Sequence, residues 1–235
     1  MRLRRFQGEE DWVEACLGDF LAAHAEAAAE ARGLELVLAG GSTPGPIYRR
    51  LAALELPGPA VRLWPGDERR LALGHPERND SSLAPIFAGA PWKPAPEFMA
   101  WPDADDAEPD RGYAERLASF MPEGPRFDLV FLGIGNDGHT ASLFPGDAAS
   151  EAALEGDFAP LALLSFASSR PWLRMSLSGP VLAATRRLLF LTRGPDKLSL
   201  LERTMGEEGR KLPWRRVAAL AEAGGASVQL LHADR

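Results

Sequence analysis

The sequence predicts an α/β protein built on an open, mostly parallel sheet with helices on both faces. Two apolar runs, LELVLAG (34–40) and FDLVFLGIG (127–135), have the length and composition of strands buried on both sides. Helical stretches alternate with these and other strand-like runs, which is typical of successive strand–helix units. Because no fixed-period repeat or polar linker divides the 235 residues, we expect one domain over 1–235.

Glycines and prolines mark the elements of the first half. In order, these are a strand-like start, a helix over 9–31, a strand over 34–40, a helix over 45–54, a strand over 61–68 and a short helix over 81–87. The apolar residues of the first helix share roughly one face: Trp12, Val13, Cys16, Leu17, Phe20, Leu21 and His24. Pro44 suits the first turn of the second helix, and Ser42 or Thr43 is its expected cap.

The second half continues the alternation after a Pro-rich stretch over 91–109, which we interpret as a crossover loop. The predicted elements are then a helix over 110–120, strands over 127–135, 161–167 and 173–178, a small helix ending at Thr185, a strand over 186–194 and a helix after Pro195. These spacings favour parallel strands joined by crossover helices.

The composition indicates which classes of partner the chain can have. With 33 acidic and 26 basic residues the net charge is −7, and no Lys/Arg cluster forms a basic face, so we expect no nucleic acid partner. One cysteine gives no disulfide framework. The apolar runs are shorter than the roughly 18 residues that span a bilayer, and the N-terminus has no secretory pattern. We expect a cytoplasmic protein with a small-molecule partner. The oligomeric state is not defined by the sequence, and a monomer is favoured.

The first candidate binding loop is GGSTPG at 40–45, directly after a predicted strand. Ligands of open α/β sheets bind beyond the carboxyl ends of the strands. Two glycines permit close backbone approach, and the helix that begins here offers free N–H groups to an anion. An ordinary capped turn is the alternative. The loop is not a Walker A motif, because the chain contains no Gly-Lys pair.

The second candidate loop is WPGDERR at 64–70. Asp67 and Arg69 are two positions apart at a strand end, so they point the same way and can meet one ligand. A solvated ion pair at the rim is the alternative, and we assign Glu68 and Arg70 to such a rim.

The third loop, GIGNDGHTASLFPG, follows the strand over 127–135. Its GIGNDG matches G-x-G-x-x-G, but it lies in mid-chain and is followed by a turn and Pro145 instead of a long helix, which argues against a dinucleotide site. His139 lies on a glycine-flanked turn at a strand end, where it suits general acid or base catalysis. Asp137 has two open interpretations, stabilising the turn or serving the site. The other three histidines have ordinary surroundings.

These motifs together resemble the bacterial 6-phosphogluconolactonases, within the superfamily of glucosamine-6-phosphate isomerases and 6-phosphogluconolactonases. The segments are LAGGSTPGPIYRRLA, WPGDERRLALGHPERN, FDLVFLGIGNDGHTASLFPG and SSRPWLRMSLSGPVLAATRRLLFLTRGPDK. The resemblance implies a Rossmann-like sheet of the glucosamine-6-phosphate deaminase type. It also implies hydrolysis of 6-phospho-glucono-1,5-lactone to 6-phosphogluconate in the oxidative pentose phosphate pathway, with no metal or organic cofactor.

Two other functions stay open beside this one. Glucosamine-6-phosphate deaminases share the diglycine loop and the DGH motif, but continue with an acidic residue that this chain lacks between His139 and Gly146. A non-catalytic sugar-phosphate-binding protein is the second alternative, and a candidate base at His139 argues against it. The chain departs from the lactonase pattern at three positions: Gly45 and Arg170 stand where lysine is common, and Arg78 where serine is common.

The resemblance and the residues together give a mechanism to test. The expected phosphate contacts are the backbone N–H groups around Gly40, Gly41, Ser42 and Thr43, with Arg170 and Arg69. His139 is the expected general base for a water that attacks C1. Asp67 is the candidate that orients His139 or the water, Arg69 stabilises the intermediate, and Asn79 contacts sugar hydroxyls. No nucleophilic Ser or Cys is required, since the chain has no G-x-S-x-G elbow.

Overall fold

A computed structural model describes residues 1–155 and 159–235 of the chain. The strands are β1 Arg2–Phe6, β2 Leu34–Leu38, β3 Val61–Pro65, β4 Asp67–Arg69, β5 Glu97–Phe98, β6 Phe127–Gly133, β7 Ala162–Phe166, β8 Leu173–Leu177, β9 Thr185–Arg193 and β10 Ser227–Ala233. Seven of them form one sheet in the order β1-β10-β9-β6-β2-β3-β5, in which neighbouring strands pair in parallel. The remaining three form an antiparallel sheet in the order β4-β8-β7.

Helices cover both faces of the larger sheet. They are α1 Glu9–Ala29, α2 Gly45–Ala52, α3 Asn79–Phe87, α4 Pro109–Phe120, α5 Ala148–Ala152, α6 Gly179–Ala183, α7 Pro195–Thr204 and α8 Pro213–Ala223, with a short 3₁₀ helix at Glu208–Lys211. Strand β2 shows the two layers directly, because Leu36 and Leu38 enter a core shared with α1, α2 and α3, whereas Val37 enters a core shared with α4 and α8. The predicted α/β class with helices on both faces is confirmed.

The predicted strand over 61–68 is in fact two strands in different sheets. Gly66 joins them: its N–H donates to the Leu38 carbonyl at 2.9 Å in the larger sheet, and its carbonyl accepts from the Leu177 N–H at 2.9 Å beside the smaller one. A β-carbon at Gly66 would lie 3.1 Å from Val37 Cγ1, so a larger residue at the crossing would have to displace this side chain. This crossing carries β4 over the end of β2.

Other differences concern elements with weak sequence signals. The loop predicted over 91–109 contains the edge strand β5 and ends in α4. Helix α8 and strand β10 were not predicted, although β10 lies inside the sheet between β1 and β9. Leu21 of α1 is exposed instead of packed. Among the described residues, no helix combines the length and apolar character that a transmembrane segment requires.

Candidate active site

A cavity of about 240 Å³ lies at the carboxyl ends of β2, β6 and β9, under the smaller sheet. Its polar lining comes from five segments: Gly40, Gly41 and Thr43 after β2, Asp67 and Arg69 on β4, Asn79 at the start of α3, His139 after β6, and Thr192 and Lys197 at the end of β9 and on α7. The fold therefore brings together seven of the nine predicted site residues. The other two, Ser42 and Arg170, are not among the residues that line the cavity.

The diglycine loop approaches the cavity through its backbone. Gly41 has φ +84°, a conformation that favours glycine. A β-carbon on Gly40 would lie 2.1 Å from Asn79 Oδ1, so this glycine leaves the space that the Asn79 amide fills. The cap predicted for α2 is wrong: Pro44 occupies the N-cap, and the structure gives it no side-chain cap hydrogen bond. The hydroxyls of Ser42 and Thr43 are therefore not used to cap this helix.

The histidine loop is folded back on its own glycine. The Gly135 N–H donates to the His139 carbonyl at 2.8 Å, and a β-carbon on Gly135 would lie 2.1 Å from His139 Nδ1. Gly138, with φ +85°, makes the turn between them. The imidazole packs beside Phe144 with ring centroids 4.8 Å apart and is 34% exposed. The loop thus fixes the ring position while leaving the ring accessible.

The residue that orients this ring is Asp137, not Asp67. Asp137 Oδ1 lies 2.6 Å from His139 Nδ1 and also accepts the His139 backbone N–H at 3.1 Å. Burial opposes ionisation of Asp137, but the hydrogen bond and charge of His139 lower its pKa to about 2. With Nδ1 donating to this carboxylate, Nε2 is the unprotonated nitrogen of a neutral His139. Of the two roles expected of Asp67, the contact with the imidazole is therefore made by Asp137 instead, and orientation of the water stays a prediction.

Asp67 is held by two other side chains at the cavity wall. Its Oδ2 accepts from the Ser142 hydroxyl at 2.6 Å, and its carbonyl accepts from Asn79 Nδ2 at 2.8 Å. Ser142 is buried and receives further contacts from two serines: the hydroxyl of Ser165 donates to its carbonyl at 2.6 Å, and its N–H donates to Ser176 Oγ at 3.2 Å. Ser142 thus links the histidine loop to β4, a role that its position in the loop did not indicate.

Glu68 is not a rim residue. Its side chain is 0% exposed, and its carboxylate accepts the backbone N–H groups of Arg69, Asn79 and Asp80 at 2.7, 2.6 and 2.9 Å. Burial raises the pKa of Glu68 to about 7, against those three N–H groups, which lower it. Arg70 does lie outward, where it donates to the carbonyls of Ala104 and Asp106.

Arg170 does not reach the cavity in this structure. It is exposed, and its guanidinium lies over the Trp172 ring, 4.6 Å from the centroid. The cations at the site are instead Arg69, Lys197 and, in the adjoining cleft, Arg174. Arg69 donates to the Glu77 carbonyl. The expected phosphate contact from Arg170 thus has no support from the geometry of the cavity.

Lys197 is the main cavity residue that the sequence did not single out. Its Nζ donates to the Ile134 carbonyl and to Asn136 Oδ1, each at 2.6 Å. Burial lowers the pKa of Lys197, while the charge of Asp137 acts in the opposite direction. The sequence held a signal for it, because RGPDK places a proline-initiated helix at a strand end, as GGSTPG does.

No cluster of three or more His, Cys, Asp or Glu side chains suited to a metal ion occurs within residues 1–155 and 159–235. The lining instead combines one imidazole, one carboxylate at Asp67, two cations, an amide and the backbone of glycine-rich turns. Such a set can hold an anionic sugar and move a proton.

A family model described as "Glucosamine-6-phosphate isomerases/6-phosphogluconolactonase" matches residues 7–225. The chain belongs to this family. It is 31% identical over 206 residues to a 6-phosphogluconolactonase of Pseudomonas putida, with 86% of this chain and 84% of that protein covered. It is 28% identical over 239 residues to a 6-phosphogluconolactonase of Caulobacter vibrioides, with 100% and 98% covered.

Longer relatives and solved structures extend this result. The chain is 33% identical over 215 residues to the GDH/6PGL endoplasmic bifunctional protein of Oryctolagus cuniculus, but spans only 26% of that protein's length. The crystal structure of a 6-phosphogluconolactonase from Shewanella baltica has a TM-score of 0.82 at 24% identity, and the match covers 99% of this chain and 97% of that one. This structural similarity establishes the shared fold.

Proposed function

We propose that this protein hydrolyses 6-phospho-glucono-1,5-lactone to 6-phosphogluconate. The observation that carries the proposal is an accessible imidazole, His139, held through Nδ1 by Asp137 at 2.6 Å in the cavity that the diglycine loop also lines. Relatives named 6-phosphogluconolactonase match up to the full length of the chain, which supports the same assignment.

The proton transfers follow from the orientation of the imidazole. Water attacks C1 of the lactone while His139 Nε2 takes one of its protons, and the resulting imidazolium is stabilised by Asp137. When the bond between C1 and the ring oxygen breaks, the imidazolium returns its proton to that oxygen. A positioned base of this kind contributes on the order of 10² to 10⁴ in rate. Arg69 is our candidate for stabilising the negative oxygen of the tetrahedral intermediate.

The phosphate end of the substrate is assigned to the diglycine side of the cavity. The backbone of Gly40 and Gly41 offers N–H groups at a glycine-rich turn, and Lys197 supplies a cation across the cavity. Asn79, which lies against Gly40, is our candidate for the sugar hydroxyls. Holding the dianion at one end fixes the distance between C1 and His139.

The deaminase alternative has less support from the same residues. Between His139 and Gly146 the chain has no acidic residue to assist ring opening, and the Ser142 hydroxyl in that stretch is bound to Asp67. Ammonia release from glucosamine 6-phosphate would identify such an activity. A purely binding protein would take up 6-phosphogluconate without turning over the lactone.

The deciding experiment is lactone hydrolysis by the wild type, by His139→Ala and by His75→Ala, a histidine on another loop, as the matched control. We expect kcat to fall by about 10² or more in His139→Ala, and to stay near wild type in the control. Wild-type rates in His139→Ala would refute the base. Equal kcat/KM for 6-phosphogluconolactone and gluconolactone would refute the phosphate assignment.

We further infer a single-domain monomer that acts in the cytoplasm on a small molecule. The apolar cores on both faces of one sheet support the single domain, and the net charge of −7 favours a chain that does not self-associate. The single free cysteine is in keeping with a reducing compartment, and the cavity of about 240 Å³ with a small molecule. Light scattering after gel filtration should give the mass of one chain, and a twofold mass would overturn the monomer.

A further inference from the structure

Strand β4 presents alternate side chains to two different environments. Asp67 and Arg69 line the cavity, whereas Glu68 between them points inward, where it is 0% exposed. Opposite Glu68 on β8 lies Met175, which is also fully buried. A carboxylate in such a place needs compensation, because burying a charge without partners is costly.

The buried charge of Glu68 is compensated by backbone N–H groups of β4 and α3, the two elements that carry Arg69 and Asn79. Glu68 Oε1 accepts the Arg69 N–H at 2.7 Å and the Asn79 N–H at 2.6 Å, and Oε2 accepts the Asp80 N–H at 2.9 Å. The last two groups open α3, where the positive end of the helix dipole favours an anion. One side chain therefore joins β4 to the N-terminus of α3.

The charges around Glu68 are arranged in a second layer behind these bonds. Arg78 Nε lies 3.8 Å from Glu68 and binds Asp80 through the same nitrogen at 2.9 Å. Arg78 is 1% exposed and also donates to the carbonyls of Leu71, Trp101 and Pro102. The other charged or titratable groups that interact with Glu68 are Tyr113 of α4 and Arg174 of β8, beside Asp67 and Arg69 on its own strand.

We propose that Glu68 is a positioning residue of the lactonase site. Its carboxylate holds Arg69 and Asn79 at their places on the cavity wall by binding their backbone N–H groups. The effect on the reaction is indirect, since Glu68 is fully buried behind the cavity wall and is not itself one of the lining residues. This inference rests on the proposed function for its kinetic consequence, but its structural content is independent of the substrate.

The variant Glu68→Gln tests the proposal with almost no change in volume. Glutamine retains one acceptor oxygen, but its NH₂ group faces backbone N–H donors and cannot bind them. We expect kcat/KM for the lactone to fall by about 10- to 100-fold, as for small misplacements of site groups. Glu123→Gln, at an exposed glutamate after α4, is the matched control and should stay within about twofold of wild type.

A merely structural role is separated from positioning by calorimetry with 6-phosphogluconate. Partial unfolding lowers the number of binding sites at unchanged Kd. Misplacement of Arg69 and Asn79 leaves close to one site per chain and raises Kd. The loss of one charge-assisted hydrogen bond would raise it by about tenfold. A lowered stoichiometry at wild-type Kd would overturn the positioning role.

Amide NMR provides a readout that needs no substrate. In the wild type the N–H signals of Arg69, Asn79 and Asp80 should titrate together near neutral pH, because burial raises the pKa of their common acceptor Glu68 to about 7. In Glu68→Gln this titration should disappear, and the Asn79 and Asp80 amides should exchange at least about tenfold faster while those of β6 do not change. Unaltered exchange and activity would overturn the proposal. A wild type that fails to hydrolyse the lactone would refute the proposed function, and the amide result would still decide the role of Glu68.

Discussion

Replacing Asp137 with asparagine measures what the carboxylate contributes to the catalytic histidine. The carboxylate lies 2.6 Å from His139 Nδ1, and its pKa is lowered to about 2 from an ordinary 3.8, chiefly by His139 against the opposing effect of burial. A shift of that size corresponds to about 2 kcal/mol between the two protonation states. Because Asp137 is 46% exposed, solvent screening leaves about half of it, or about 1 kcal/mol.

This free energy stabilises the imidazolium that forms when His139 takes a proton from water, so its loss appears in kcat. We expect Asp137→Asn to lower kcat by roughly fivefold to tenfold, with KM changed by less than about twofold. Asparagine still accepts from Nδ1, so the ring keeps its tautomer and the fold is retained. Steady-state kinetics with the lactone and a thermal melt are the assays, and Asp105→Asn, at an exposed aspartate on another loop, is the control.

The reasoning would fail on either of two results. A wild-type kcat in Asp137→Asn would show that the carboxylate serves only the turn. A loss as large as that of His139→Ala would show that the half-exposed position does not screen the pair as argued.

Three further predictions follow from the site and the core. Gly135→Ala places a β-carbon 2.1 Å from His139 Nδ1, so kcat should fall by about 10² with the melting temperature reduced by only a few degrees; normal kinetics would contradict the contact. Lys197→Met should raise KM for the phosphorylated lactone by about tenfold and leave KM for gluconolactone unaffected. Arg170→Ala should change neither KM by more than about twofold. A larger rise in Arg170→Ala than in Lys197→Met would identify Arg170 as the phosphate ligand. Burial raises the pKa of the Cys16 thiol well above neutrality, so Ellman's reagent should label Cys16 only after denaturation, and rapid labelling of the native protein would refute its burial.

The parts of the site that sequence analysis identified are those that strand topology dictates. Carboxyl ends of parallel strands lie at one edge of a sheet, so polar residues directly after two apolar runs were expected at that edge. Gly40 and His139 follow β2 and β6, which are neighbours in the sheet, and the structure places both at one cavity. The same reasoning extends to Asp67 only because Gly66 returns the chain to that edge.

What sequence analysis did not identify depends on contacts that periodicity does not encode. Glu68 was assigned to the surface because acidic residues in a charged run are usually solvated, whereas a three-residue strand in a second sheet turned it inward. Arg170 lies on a loop, where a local contact with Trp172 sets its direction. Lys197 lies in the first turn of α7, more than 150 residues after the diglycine loop, so the sequence did not show that the two are close in space.

The passage of the chain through Gly66 has a consequence for how this protein tolerates change. Asp67 and Arg69 belong to the smaller sheet, whereas His139 follows β6 of the larger one. The hydroxyl of Ser142, in the histidine loop, connects the two by donating to Asp67. The distance between the His139 imidazole and the Arg69 guanidinium therefore depends on how the two sheets pack, and substitutions in the edge strand β7 can change it without replacing a residue of the cavity lining. Residues far from the cavity thus help to set the spacing of its catalytic groups.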